Sequence, residues 1–366
     1  MLDVRLSQPG PIPLEVTLHC AAGELLALVG PSGSGKTSVL RAIAGLLRVA
    51  RGRISLDGEV WFDDTLAIDR RAEHRPVGMV FQQYALFPHL SALQNIRLAV
   101  PARHDTAAAL RIAHRLLDDM QLGGLAARRP HELSGGQRQR VALARALARE
   151  PGVLLLDEAF SAVDQPTRQA LYDELIKLRE RHPVPIVMVT HDLREARLLA
   201  DRLCILEHGC TLQQGPPEQV MSRPRNARVA ALVGLRDIHQ GVFLNEPAAG
   251  LRWGGPTSPV FLRTIDKGRI THGTPVRWVI AGEHVQLHAD PPPDDPVLPN
   301  LVACRLLRLD RLGEVTTLAC QVAAEPAALL HLEITTRLAT QMGLAAGQPA
   351  WLQLEPSSIH IMPQRS

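Results

Sequence analysis

Residues 30 to 38 read GPSGSGKTS and follow directly on the apolar run LLALV. No other stretch constrains the fold as much. A five-residue run of Leu, Ala and Val is buried strand material, and GKTSVLRAIAGLL after it has helical spacing. The loop between them must turn sharply while turning its N–H groups inward, which glycine permits. It fits the pattern G-x-x-x-x-G-K-[ST] through Gly30, Gly35, Lys36 and Thr37, in the strand–loop–helix context the pattern requires. The helix start adds partial positive charge, Lys36 a mobile point charge, and Thr37 a hydroxyl suited to Mg²⁺. The segment Gly30, Pro31, Ser32, Gly33, Ser34, Gly35, Lys36, Thr37 and Ser38 is built to hold a nucleoside triphosphate. Alone, it does not distinguish kinase, GTPase, helicase and transport ATPase.

Composition narrows the class. The chain has 366 residues, which favours at least two domains, and 46% hydrophobic with 21% charged residues favours a folded chain over disorder. A net charge of +3 is too small to argue for nucleic acid as a partner. Lys36, Lys177 and Lys267 are the only lysines among 40 basic residues, so Lys36 stands where the planar guanidinium of arginine does not serve. Cys20, Cys204, Cys210, Cys304 and Cys320 show no metal or redox spacing and are expected as buried thiols. The opening MLDVRLSQPG lacks the apolar core of a signal peptide, and no window reaches the apolar length of a spanning helix. A membrane role would be exercised from outside the bilayer.

LLALVG, VGMVFQ (77 to 82), GVLLLDE (152 to 158) and PIVMVT (185 to 190) are apolar throughout, as expected for a parallel sheet covered on both faces. The long stretch between the second and third, about residues 84 to 150, predicts an inserted helical subdomain. Past residue 235 the pattern changes to period two, in PVRWVIAGEHVQLHA, GEVTTLACQV, LLHLEITTRL and PAWLQLEPSSIHIM. The expectation is an α/β P-loop domain over 1 to 235 and a small all-β barrel or sandwich over 236 to 366. DPPPDDPVLP reads as a separator within the second. Trp253, Trp278, Trp351, Phe243 and Phe261 are spaced as core residues there, which speaks against an oligonucleotide-binding barrel.

HELSGGQRQRVALARALAREPGVLLLDEAFSAVD, from 131 to 164, carries the decisive motifs. Here the chain resembles the nucleotide-binding subunits of ABC transporters. LSGGQ (133 to 137) is similar to the ABC signature, VLLLDE (153 to 158) to the Walker B strand with its glutamate, and SAVD (161 to 164) to the D-loop. FQQ (81 to 83) and THD (190 to 192) resemble the Q-loop and the switch-histidine loop. All occur in the family's order over residues 1 to about 235.

The resemblance implies an ATPase that uses ATP and Mg²⁺. Asp157, Thr37 and Gln82 would hold the metal; Glu158 would polarise the attacking water, with Gln82 and His191 as the other catalytic groups. It further implies a homodimer in which Ser134, Gly135, Gly136, Gln137 and Asp164 of one copy meet the ATP held by the other. YALFPHL, after Gln82, would contact integral-membrane permease subunits. Two departures from the importer pattern DEPFSALD, Ala159 and Val163, remove no ligand. MLDVRLSQPGPIPLEV lacks the aromatic residue on which many relatives stack adenine, which weakens the expected base preference.

A separate ATPase chain with a β-rich tail similar to the TOBE domain points to a bacterial importer. Such a chain acts peripherally at the cytoplasmic face of the inner membrane, with a periplasmic solute-binding protein as an indirect partner. MLDVRLSQ and LDGEVWFDD look most like molybdate-importer ATPases, although Cys304 and Leu306 stand where that group's tail has a Ser-Ala-Arg-Asn stretch. Sulfate or thiosulfate, ferric ion, polyamine and sugar import are the alternatives; a soluble ABC ATPase acting on nucleic acid is a distant one.

Overall fold

The computed structural model describes residues 1–363 apart from 11, 162, 246–248, 255–258, 266, 267, 269, 292–298 and 323–327. Much of the DPPPDDPVLP separator, Lys267 and one position of SAVD therefore lie outside the described residues.

The continuous apolar runs become strands because no polar position would face water. Leu25–Val29, Val153–Asp157 and Ile186–Thr190 are buried at every residue. With Val77–Val80 and Arg202–Glu207 they form five adjoining parallel strands of an eleven-stranded sheet. The sheet is not parallel throughout, contrary to the sequence expectation. Leu2–Gln8 pairs antiparallel with both Leu14–Cys20 and Arg51–Leu56, and the latter with Glu59–Asp63. Leu2–Gln8 alternates in burial, with Leu2, Val4 and Leu6 inward, and that period of two marks a sheet part with one solvated face. Trp61, fully buried, packs with Leu2, Leu18, Ile43 and Leu155 in the core beneath. Each such aliphatic side chain contributes about 2 kcal/mol of burial.

Between Val77–Val80 and Val153–Asp157 the chain forms helices Ala92–Arg97, Thr106–Asp119 and Gly135–Ala148. Each begins on a side-chain cap, from Ser91, Asp105 and Ser134 respectively. Such a cap satisfies one N–H that the first turn leaves without an intrahelical partner.

The chain separates into two compact units, Met1–Pro217 and Glu218–Ser366. The period-two pattern begins near residue 236, yet the helix Ala227–Leu232 goes with the second unit because Ala230 packs with Val279 and Met362. Among the described residues the second unit holds two five-stranded sheets, antiparallel where paired. Phe243, Trp253 and Trp278 of one and Leu306, Leu318 and Leu352 of the other share a single core. Two sequence expectations are corrected there. Phe261 is 43% exposed, since Leu262 takes the inward place of its strand. LLHLEITTRL is a strand only to Thr335, whose side chain then caps the helix Thr336–Gln341. In the first unit, Cys210 is exposed whereas the other four cysteines are buried.

Candidate active site

Parallel register places the site. Val29 lies opposite Thr190, Asp157 opposite Val189, and Val80 opposite Leu156. The glycine loop, Glu158 and His191 therefore leave the carboxyl ends of neighbouring strands, and Gln82 follows two residues after Val80. Ligands of open α/β sheets bind at that edge.

The loop's glycines answer to space. A Cβ on Gly30 would lie 1.9 Å from the Leu206 carbonyl oxygen, so no side chain fits. Gly35 takes φ 93° and opens the helix Lys36–Ile43, which has no side-chain cap, unlike the helices named above. Its first N–H groups are thus left for an anion. Lys36 is 6% exposed, and its ammonium donates to the carbonyls of Gly30 and Pro31 at 2.8 and 2.9 Å and to Ser34 Oγ at 3.4 Å. Burial pushes its pKa down, while Glu158 and Asp157 oppose that shift. A phosphate brought to this cradle meets a lysine that is oriented by the loop it serves.

Thr37 Oγ1 donates to Asp157 Oδ1 at 2.9 Å. Asp157 is 5% exposed, and burial holds its carboxyl above the usual range against the hydroxyl's opposing pull. Two hard oxygens side by side, one on a carboxylate that burial makes costly to ionise, suit a hard dication. The residues fit Mg²⁺.

Glu158 has φ 46°, a left-handed backbone that costs about 1–3 kcal/mol for a non-glycine residue. Its N–H donates to Val189 O at 3.0 Å, and Ser161 Oγ donates to its carbonyl at 2.8 Å, which fix the turn. Gln82 Nε2 donates to Glu158 Oε2 at 3.0 Å, and His191 Nδ1 lies 3.5 Å from the same oxygen. A carboxylate so aimed can orient and polarise a water.

Ser134 caps Gly135–Ala148 reciprocally: Gln137 N–H donates to Ser134 Oγ at 3.3 Å, and Ser134 N–H to Gln137 Oε1 at 2.9 Å. A Cβ on Gly136 would lie 2.4 Å from Thr167 Cγ2, so this helix closely meets the helix Gln165–Arg181 there. Asp164 caps the helix Gln165–Arg181, and Thr167 holds its carboxyl below the usual range.

Sequence reading missed Arg145. Its guanidinium donates to Ala85 O at 2.6 Å and Tyr84 O at 2.8 Å, holding two residues with φ 48° and 60°. The segment after Gln82 is thereby fixed to the helix that Ser134 opens. An arginine in the apolar stretch VALARALA was the available signal.

The sheet, the glycine cradle and the acid–glutamine–histidine cluster define a P-loop ATPase of the ATP-binding-cassette type. The family model described as ABC transporter matches residues 14–161. Over 260 residues the chain is 45% identical to the sulfate/thiosulfate import ATP-binding protein CysA of Caulobacter vibrioides, covering 67% of this chain and 75% of that protein. It is 35% identical over 361 residues to the spermidine/putrescine import ATP-binding protein PotA of Pseudomonas fluorescens, covering 96% and 92%. A dimeric ATP-binding cassette in a post-hydrolysis state with ADP and Pi superposes with a TM-score of 0.50 at 30% identity, over 59% of this chain and 99% of that one. The chain belongs to the ATP-binding proteins of ABC transporters, and it is an ATPase.

Proposed function

We propose that the chain binds ATP through Gly30 to Ser38 and hydrolyses it with Glu158 orienting the water. Lys36 meets the terminal phosphates, and His191 and Gln82 hold the Glu158 carboxylate in register. Thr37 and Asp157, with Gln82 nearby, would hold Mg²⁺, which supplies charge neutralisation on the phosphates. The convergence of Gln82 and His191 on one oxygen of Glu158 carries this reading. Purified Glu158→Gln protein should bind ATP but lose turnover by at least about a hundredfold; normal hydrolysis would refute the assignment.

The second half of the site comes from another copy of the chain. Ser134, Gly135, Gly136, Gln137 and Asp164 sit on two adjoining helix starts. The dimeric ATP-binding cassette that superposes on this chain supports a twofold pair in which each nucleotide is shared.

The permease partner meets the first unit beside the Gln82 loop. A cavity of about 630 Å³ there is lined by Met79, Phe81, Phe87, Leu98, Ala99 and Arg145. Phe87 and Leu98 are 42% and 62% exposed, which suits an apolar helix of a membrane subunit. No helix among the described residues is long and apolar enough to cross a membrane, in keeping with a peripheral subunit at the cytoplasmic face.

The transported solute is sulfate or thiosulfate in this reading, with polyamine import second. The relatives' names favour these over molybdate, which the opening segments had suggested. The tail is read as a TOBE-type domain with a structural or effector-binding role. Trp253 and Trp278 are 1% and 0% exposed and so cannot stack on bases, which supports transport over nucleic-acid work. Uptake of labelled sulfate, thiosulfate, molybdate and spermidine by cells carrying or lacking this chain separates the readings. Loss of sulfate uptake alone supports the first, and loss of molybdate uptake alone overturns it.

A further inference from the structure

The turns carrying Asp164 and His191 are joined by one side chain, and neither motif includes it. Arg168 lies in the first turn of Gln165–Arg181. Its Nη2 donates to the Val163 carbonyl at 3.0 Å, and its Nη1 lies 3.8 Å from Asp192 Oδ2. Val163 directly precedes Asp164; Asp192 directly follows His191. Asp192 caps the helix Leu193–Leu199 through Oδ1, leaving Oδ2 for the arginine. The same turn is gripped from its other side. Asp192 N–H donates to Thr190 Oγ1 at 3.0 Å, and that hydroxyl donates to the buried carboxylate of Glu195. His191 is therefore flanked by two residues whose polar groups are committed to one network.

That network retains bonding capacity. Arg168 Nε and Glu195 Oε1 are buried without a hydrogen-bond partner, and buried polar groups seldom remain so. Arg168 already acts electrostatically on the Glu195 carboxylate. The arginine thus has a third acceptor within its field besides the two it holds, as a part with two arrangements needs.

We propose that Arg168 is a positioning residue that couples the Asp164 turn to the His191 turn. A displacement of the Asp164 turn, which faces the other copy in the dimer, is passed through the guanidinium to Asp192 and so to the imidazole beside Glu158. The proposal rests on the roles given above to Asp164, His191 and Glu158. It adds that the state of one nucleotide site reaches the histidine of the other through a single fork. Arginine suits this because its planar group serves two acceptors at a fixed separation, which an ammonium cannot do.

The test is a double-mutant cycle on ATP hydrolysis by the full chain, with Arg168→Met and Asp192→Asn. Asparagine keeps the helix cap and removes the charge. Arg168→Met should lower kcat about tenfold, as small misplacements of catalytic groups do. KM for Mg-ATP should stay within about twofold, and cooperativity in ATP should fall. The double variant should be no slower than Arg168→Met alone, because both changes break one link. Arg168→Lys should recover only part of the rate, and it carries the cycle should the methionine variant fail to fold. Additive losses, full activity of Arg168→Met, or complete rescue by lysine would overturn the coupling. Glu158→Gln run beside them separates the two levels. If it is inactive while Arg168→Met is normal, only the coupling fails; if it is active, the underlying reading fails.

Discussion

Gln82 and Glu158 are joined by a 3.0 Å hydrogen bond from amide to carboxylate, across the parallel strand pair Val77–Val80 and Val153–Asp157. Gln82 heads the segment that Arg145 holds through Tyr84 and Ala85. The carboxylate proposed to orient the water is thus tied mechanically to the surface proposed to meet the permease. Gln82→Ala should lower kcat about tenfold or more while leaving nucleotide affinity within about threefold. Stopped-flow turnover and fluorescent-nucleotide titration check the two parts; an unchanged kcat would contradict the link.

Gly136 and Thr167 meet without room for a methyl group. Gly136→Ala alone should destabilise the first unit by about 1–3 kcal/mol through overpacking. In a Thr167→Ser background, which removes the obstructing Cγ2, the same change should become neutral or stabilising by up to about 1 kcal/mol, since alanine favours helix over glycine. Urea unfolding of the four proteins measures the sign reversal.

Glu195 is 7% exposed, and burial raises its pKa from 4.5 to about 7 despite the Thr190 hydroxyl and the charges of Arg168 and His191; Asp192 adds to the rise. Tyr172 is itself shifted up by burial and by Glu195. The folded state therefore binds more protons than the unfolded one between pH 4.5 and about 7, and stability falls as pH rises through that window. Glu195→Gln should remove this slope, gaining on the order of 3 kcal/mol over wild type at pH 8 relative to pH 4.5. Parallel slopes for the two proteins in urea titrations across this range would contradict it.

His239 sits between Trp253 and Trp278, with ring centroids 4.9 and 4.8 Å away, and burial lowers its pKa from 6.5 to about 4. Here the sign is opposite: the unfolded state binds the extra proton, so stability is lost as pH falls from 6.5 through about 4. The loss amounts to about 3 kcal/mol and should be absent in His239→Phe, which keeps the aromatic packing. Tryptophan fluorescence of acid unfolding reads it directly.

The sequence made legible what depends on local pattern. Gly30 to Ser38, Asp157 and Glu158 are contiguous strings on strand ends, and the all-buried strands write the parallel part of the sheet as unbroken apolar runs. The antiparallel edge was harder, because Leu2–Gln8 alternates and its partner Arg51–Leu56 shows inward apolar residues only at its end. The partners of the arginines were not legible, although Arg145 itself stands out in the apolar stretch VALARALA. Arg145 and Arg168 act on backbone carbonyls about sixty and five residues away, and a carbonyl leaves no trace in residue identity. The grouping of the helix Ala227–Leu232 with the second unit is not written in local pattern either, since Ala230 reaches its packing partners only once Val279 and Met362 are folded beside it.

The account turns on a nucleotide shared between two copies, and sedimentation of the Glu158→Gln protein addresses that most directly. With Mg-ATP it should sediment as a dimer and return to a slower species with ADP, and Ser134→Arg added to it should abolish the ATP-dependent change. A sedimentation coefficient indifferent both to Mg-ATP and to Ser134→Arg would contradict the shared site.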